Sequence, residues 1–436
     1  MDLAAATKRV YLDTLRAIEP DSVIKRKVLV DRSTLTIAGE EIRLEDFSEV
    51  VLVGIGKASI KMGAAVESLL GDRVKRGILV TDRRSKINVR SEVIVAGHPL
   101  PNANSVLAGA RVVELVQSCG DDALIVFLIS GGGSSLVELP SVSTISLEDL
   151  RVTNQLLIGC GATISEINIV RKSLSLIKGG KLGKLARNST CIGLYFSDVN
   201  PGDLRSIASN PLLPEDISVQ AVLEVVNRFN LLERLPDSVA SAILLPSVEG
   251  HTRDKGPVTA RALTTLLLDN FDAVQSAAEL ARQLGFRVEI DTELIEGEYQ
   301  NIADQSIGHL LALRDSFPNE RVCVISGGEV SCAVHGSGIG GRNQEFVLYC
   351  AAQLASSQVG DAAVLSCGTD GIDGNSTAAG AVACAQLVIN ADQRGADASV
   401  FISDNDSNSF FRKAGGIIVT GPTGNNVRDL RILMCQ

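Results

Sequence analysis

Val51-Leu52-Val53-Gly54-Ile55-Gly56-Lys57 is a short apolar run that breaks directly into glycine. The same break recurs in Ile129-Ser130-Gly131-Gly132-Gly133-Ser134-Ser135 and in Ile325-Ser326-Gly327-Gly328-Glu329. It appears again in Ser366-Cys367-Gly368-Thr369-Asp370-Gly371-Ile372-Asp373-Gly374 and in Val419-Thr420-Gly421-Pro422-Thr423-Gly424. Each reads as a strand running into a Gly-rich turn. Glycine permits close backbone approach to an anion and leaves N–H groups exposed where a helix begins. In open α/β sheets the ligand lies outside the carboxyl ends of the strands. One such turn could serve only to reverse the chain. Two in the N-terminal half and three in the C-terminal half predict an anion site in a cleft between two domains.

Outward from these turns, β-branched runs alternate with helical patterns. Expected strands are 50–53, 77–81, 92–96, 124–129, 190–196, 287–290, 322–325, 363–367 and 417–420. Residues 271–285 carry a helix stripe of Val274, Ala277, Ala278, Ala281 and Leu284, stopped by Gly285. Alternating strands and helices predict βαβ units and a mostly parallel sheet covered on both faces. The continuous apolar run Leu124–Ile129 suits a strand buried on both sides. Pro236, Pro246, Gly250 and Pro257, with the polar stretch 249–256, place a domain boundary between about residues 237 and 258. No fixed-period repeat is visible.

Bulk composition narrows the function. The chain has 436 residues, enough for two domains, and a net charge of -10. That charge excludes an electrostatic footprint for nucleic acid or an anionic membrane, and 3% aromatics without Trp leave no base-stacking platform. No apolar run reaches the roughly 18–20 residues of a membrane span, and the first residues lack the order of a signal peptide. A cytoplasmic protein is expected. Nine Cys without a C-x-x-C pair and four scattered His argue against a zinc or disulfide framework.

Several side chains stand where phosphate chemistry needs them. Lys57 sits at the mouth of a strand–helix turn, where a cation meets phosphate or carboxylate oxygens. The loop is no Walker A motif, since Ser or Thr does not follow the Lys. Gly54-x-Gly56-x-x-Ser59 resembles a dinucleotide fingerprint with its third glycine replaced. Gly338-Ile339-Gly340-Gly341 delivers Arg342, with Asn343 and Glu345 behind it, to a helix start. A planar guanidinium there suits a carboxylate or a transferring phosphoryl group. Asp198, Asp370 and Asp373 follow strand ends; each could serve as metal ligand or base, or simply form a turn. Residues 163–178 read as an amphipathic helix whose polar face carries Asn168, Arg171, Ser175 and Lys178. That face is either solvated or a basic wall on the anion site.

The chain resembles the class II glycerate kinases, whose C-terminal part contains the module called MOFRL. The resemblance covers nearly the whole chain. It rests on Gly54–Ala58, Gly97-His98-Pro99-Leu100-Pro101, Ser130–Ser135, Asn168–Lys172, Lys178–Leu182, Ser197-Asp198-Val199, Ser326–Glu329, Gly340–Glu345, Gly368–Gly374 and Gly421-Pro422-Thr423-Gly424. It implies an α/β fold with two α/β domains. The first is a Rossmann-like glycerate kinase N-terminal domain (1–245) with a mostly parallel sheet. The second (246–436) is a mixed-sheet domain containing the MOFRL module. It further implies phosphorylation of D-glycerate, usually at the 2-hydroxyl, with ATP and Mg²⁺ (magnesium), by a monomer or homodimer.

On this reading Lys57, Arg342 and Asp198 are catalytic. Gly54, Gly56, Ser130, Gly131, Gly132, Gly133, Ser134, Ser135, Lys178, Gly327 and Gly328 bind nucleotide phosphate. Arg342, Asn343 and Glu345 bind substrate, and Asp198 and Asp370 bind the metal. The sequence departs from the family at Ser209-Asn210-Pro211-Leu212, where Ser-Gly-Pro-Thr is usual, and at Asn375 and Asn425. Two other functions remain open: an NAD(P)H-dependent hydroxypyruvate reductase, and a non-catalytic binder of a phosphorylated or carboxylated metabolite.

Overall fold

The computed structural model of the chain describes all residues except 187, 201, 246–261, 294–295, 358 and 360. The described residues form two compact units, Val23–Leu267 and Met1–Ser22 together with Leu268–Gln436. The expected start of the first domain at residue 1 is corrected by the helix Leu3–Ala17. Its apolar face buries Leu3, Ala6, Val10 and Tyr11 against Val274, Ala277, Leu365 and Leu430. Tyr11 Oη also donates to the Gly368 carbonyl at 2.8 Å. The expected boundary at 246 and the polar stretch 249–256 lie outside the described residues.

The unit Val23–Leu267 begins with a small antiparallel sheet of β1 (Val28–Asp31), β2 (Thr34–Ile37) and β3 (Glu40–Arg43). Its main sheet contains β4 (Glu49–Ile55), β5 (Val74–Thr81), β6 (Glu92–Val95), β7 (Ala123–Ile129), β8 (Thr190–Phe196) and β9 (Ala262–Leu268). The spatial order is β6-β5-β4-β7-β8-β9. β4 pairs in parallel with both β5 and β7, and β5–β6 and β7–β8 are parallel too. Every residue of β7 is buried, because helices cover both faces of a doubly wound sheet. Val53, Ile55, Ile125 and Phe127 pack with Val112 and Val116 of the helix Ala103–Gln117, which Asn102 caps. The chain leaves the middle of this sheet in opposite directions from β4 and from β7. That reversal is the topological switch point at which such sheets take ligands.

The other unit holds β10 (Arg287–Asp291), β11 (Glu296–Glu298), β12 (Val322–Ser326), β13 (Glu329–Ser331), β14 (Ala362–Gly368), β15 (Gly380–Cys384), β16 (Ile417–Ile418) and β17 (Asp429–Cys435). Its large sheet runs β10-β12-β17-β14-β15-β16, with β10–β12 parallel and the remaining pairs antiparallel. β11 and β13 pair separately. The expected combination of a Rossmann-like parallel sheet and a mixed sheet is therefore what folds. No helix among the described residues is long and apolar enough to cross a membrane.

Candidate functional site

The switch point is built from two glycine turns that interlock. Gly56 has φ +132°, and a β-carbon on it would collide with Ser130. Only glycine lets the β4 and β7 exits lie this close. Ser130 N–H donates to the Ile55 carbonyl at 2.9 Å, Lys57 N–H to the Gly131 carbonyl at 3.0 Å, and Ala58 N–H to Ser130 Oγ at 3.1 Å. Gly54 acts differently, because its missing side chain lets Leu79 and Ser59 pack against the strand. Ser59, at the third glycine position, donates from Oγ to the Val80 carbonyl at 2.7 Å and caps nothing.

Beyond β7 the backbone turns through Gly132 at φ +82° into the short helix Gly133–Leu136. The N–H groups of Ser135, Leu136 and Val137 close back onto the Gly132 and Gly133 carbonyls. Those of Gly131, Gly132, Gly133 and Ser134 have no acceptor among the described residues. Gly131 and Gly133 are buried, and buried orphan donors are costly. Lys57 stands alongside, its Cγ 3.2 Å from where a Gly132 β-carbon would be. Among the described residues, the Lys57 ammonium also has no hydrogen-bond or ion-pair partner. A cation beside four unspent N–H donors forms a cradle for an oxyanion.

Three neighbours of this cradle lie outside the expected site residues, although Asp82 ends the run Ile78–Asp82 and His98 lies in the motif 97–101. Asp82 and Arg83 follow β5 and pair at 2.7 Å; His98 follows β6. Their signal was positional, since each follows a strand end in the same row as Lys57. Burial would raise the Asp82 carboxyl, but the Arg83 hydrogen bond and charge, with Lys57, hold it below the usual range. Asp198 follows β8 and presses against Gly131, where a β-carbon would overlap its carboxyl group. Mg²⁺ commonly takes only one or two protein carboxylates and fills its remaining positions with phosphate oxygens and water. Asp198 fits that pattern, although no cluster of three or more His, Cys, Asp or Glu side chains lies among the described residues.

The far side of the loop is held by a strained arm. Ala208, Ser209 and Asn210 have φ of +51°, +56° and +54° in succession. Ser209 Oγ lies 2.8 Å from Ser134 Oγ and donates to Asn168 at 3.3 Å. Asn210 tolerates the left-handed turn because its side chain closes it. Its Nδ2 donates to the Leu213 carbonyl at 2.7 Å, and its Oδ1 accepts from Leu213 N–H at 2.8 Å. Ser135 Oγ is turned inward to the Gly132 carbonyl at 3.2 Å.

The amphipathic segment is neither a solvated face nor a basic wall. The helix covers Ile164–Ser173 only, and Lys178, beyond it, is 2% exposed with its ammonium on Glu138. Burial lowers the Lys178 pKa against the opposing pull of Glu138. This placement corrects the expectation that Lys178 reaches phosphate: its charge is spent inside the fold. Lys178→Ala should cost roughly 3–5 kcal/mol of stability by stranding a buried carboxylate. Lys178→Met with Glu138→Leu should recover most of that. Denaturant titration of both variants checks it.

In the other unit, the loop 338–341 delivers Arg342 to the first turn of the helix Arg342–Ser356, as expected. Arg342 is held at 2.6 and 3.1 Å by Asp429, which is buried, and at 2.5 Å by Glu329. Burial opposes its charge, but the Asp429 hydrogen bond and the two carboxylates raise its pKa. Arg428 bridges Glu296 at 2.9 Å and Glu329 at 3.5 Å. The departure at Asn375 has a clear use: it accepts from Gly340 N–H at 2.9 Å and donates to the Gly338 carbonyl at 3.2 Å, tying down this loop. Asn425 similarly donates to the Ile18 carbonyl at 2.9 Å.

Several expected site residues of this unit point inward. Asp373 caps the helix start, accepting from the backbone and side-chain amides of Asn343 and Gln344. Asn343 is fully buried and bound to Asp373 and Ser366, so it presents no open surface. Gly328 N–H donates to Asn270 at 2.8 Å and the Gly327 carbonyl accepts from Arg431. That glycine turn is satisfied internally, unlike the Gly131–Ser134 loop. Asp370 accepts from Ile372 N–H at 3.0 Å as a turn residue.

Glu345 is 1% exposed, and burial raises its pKa to about 7, helped by Asp373 and Asp406 and opposed by hydrogen bonding to Ser407. Its folded pKa exceeds the ordinary 4.5, so the protonated form stabilises the fold. That contribution is complete below the ordinary value and is lost as pH rises through 7. Glu345→Gln should therefore gain stability relative to the parent at pH 8 and little at pH 4, read from unfolding midpoints.

With this geometry in place, comparison with known proteins decides the family. Residues 6–244 match a domain of unknown function, DUF4147, and residues 322–429 match the MOFRL family. The D-glycerate 2-kinase of Thermotoga maritima is 34% identical over 89% of this chain and 91% of its own. The chain belongs to the glycerate kinase family. The crystal structure of a Thermotoga maritima glycerate kinase superposes with a TM-score of 0.85 at 31% identity, covering 100% of this chain and 99% of that one. The family also includes an Agrobacterium vitis protein, provisionally named a hydroxypyruvate reductase, 37% identical over 88% of this chain and 86% of its own.

Proposed function

We propose that this chain transfers the terminal phosphoryl group of ATP to the 2-hydroxyl of D-glycerate in the cytoplasm. The observation that carries this reading is the cradle of Lys57 and the unspent N–H groups of Gly131–Ser134 at the switch point. Phosphoryl transfer asks little covalent chemistry of a protein; it asks for positioning and for positive charge where oxygens accumulate charge. The backbone donors orient the phosphate oxygens at no reorganisation cost. Lys57 neutralises charge passing to the leaving diphosphate. Arg342 supplies a planar fork for the acceptor's carboxylate or the transferring group. Asp198 is the carboxylate that would hold Mg²⁺, which, when bound, neutralises phosphate charge.

ADP release coupled to a reporter, with D-glycerate, L-glycerate and tartronate as acceptors, tests the proposal. Release that requires D-glycerate supports it; no release with any acceptor, despite ATP binding, sinks it. The strand order and the Agrobacterium vitis relative favour one second reading, NAD(P)H-dependent reduction of hydroxypyruvate. Against it stands Ser59, whose side chain fills the place of the fingerprint's third glycine. Loss of NADH absorbance with hydroxypyruvate and no ATP would favour the reductase.

A further inference from the structure

We propose that His98 is a catalytic residue, the general base that removes the proton from the acceptor hydroxyl. This inference rests on the kinase reading above. His98 follows β6, at the carboxyl edge that also carries Lys57. Its ring lies beside Gly132 and the Lys57 stem, next to the phosphate cradle. A β-carbon on Gly132 would be 3.0 Å from His98 Cδ2, 3.3 Å from Nε2 and 3.2 Å from Lys57 Cγ. The missing side chain of Gly132 thus lets the imidazole and the lysine stem both pack closely on the backbone of the loop. The residue reaches solvent, and among the described residues neither ring nitrogen has a hydrogen-bond partner. No hydrogen bond within the described residues commits either ring nitrogen, so one is available to an acceptor hydroxyl.

The charges that face the ring are Lys57, Arg83 and Asp82. Partial burial and the two cations lower its pKa, and Asp82 opposes them. That lowering favours the uncharged ring, which keeps a lone pair. Asp198, against Gly131, is a carboxylate beside the same loop and is the one assigned to the cation. The two groups therefore divide the work. In the step itself, the acceptor hydroxyl gives its proton to a His98 nitrogen as its oxygen bonds to the γ-phosphorus. The bond from that phosphorus to the bridging oxygen breaks, and its electron pair stays on the departing diphosphate. The imidazolium later returns the proton to solvent.

The test compares wild type with His98→Gln and His98→Ala in D-glycerate-dependent ADP release from pH 5 to 9. A general base contributes roughly 10²–10⁴-fold, so His98→Gln should lose at least about 100-fold in kcat with KM for ATP little changed. The acid limb of the wild-type kcat/KM profile should vanish in the variant. Added imidazole should restore part of the rate of His98→Ala, in proportion to its free-base fraction; a structural role would not respond to it. Near wild-type kcat in His98→Gln, or an unchanged acid limb, overturns the proposal. So does failure of imidazole to rescue. Wild type that releases no ADP with D-glycerate contradicts the kinase reading itself and removes this inference with it.

Discussion

Lys57→Ala lowers kcat for glycerate phosphorylation by about 1,000-fold or more, close to 4 kcal/mol of transition-state stabilisation, and leaves the fold intact. The two halves of this result come from one observation. No described carboxylate hydrogen-bonds to the Lys57 ammonium, and Asp82, which feels its charge, keeps the Arg83 pair, so its removal strands nothing. The residue stands just before Ala58, the N-cap of the helix Ser59–Leu70, whose N-terminal end repels a cation. The variant should therefore unfold at or slightly above the wild-type midpoint. A residue that costs stability while unliganded is held for its ligand. Steady-state kinetics with thermal unfolding of the same preparation checks both halves. Wild-type turnover in Lys57→Ala would remove the residue from the mechanism.

Arg342→Ala loses activity on a similar scale but also loses stability. Arg342 is held by Asp429, whose side chain is 1% exposed, and by Glu329. Deleting the guanidinium leaves Asp429 buried without its partner. The cost should be roughly 2–4 kcal/mol, under that of a fully buried pair because the Arg342 side chain is still 35% exposed. Adding Asp429→Asn should return part of the stability and none of the activity. Arg342→Lys keeps the charge and loses the planar fork, so it should retain more stability than turnover. Denaturant curves and kcat for these variants separate the two contributions; equal recovery of both in the double variant would contradict the assignment.

The sequence carried the strand-to-glycine turns clearly, because a buried parallel strand is a continuous apolar run and its exit needs glycine. That sufficed for β4, β7, β12 and β14, and it marked Gly56 and the Gly131–Ser134 loop, whose N–H groups the fold leaves unspent. It could not separate a glycine turn that waits for an anion from one already filled. Gly327–Gly328 and Gly131–Gly133 read alike, yet Asn270 and Arg431 satisfy the former from distant parts of the chain. Long-range pairing also hid the fate of Lys178 and Glu345. Both looked polar enough for a site, and both are buried by partners with no local signature. β17 escaped because a central antiparallel strand containing the fully buried Arg431 breaks the expected apolar pattern. The helix Leu3–Ala17 was not read from the sequence, and its partner sheet lies far along the chain.

The most direct test is ³¹P NMR of the purified protein with ATP, Mg²⁺ and D-glycerate. A growing 2-phosphoglycerate resonance with stoichiometric ADP is the predicted result. A spectrum in which ATP persists, or in which only inorganic phosphate appears, would contradict phosphoryl transfer to glycerate.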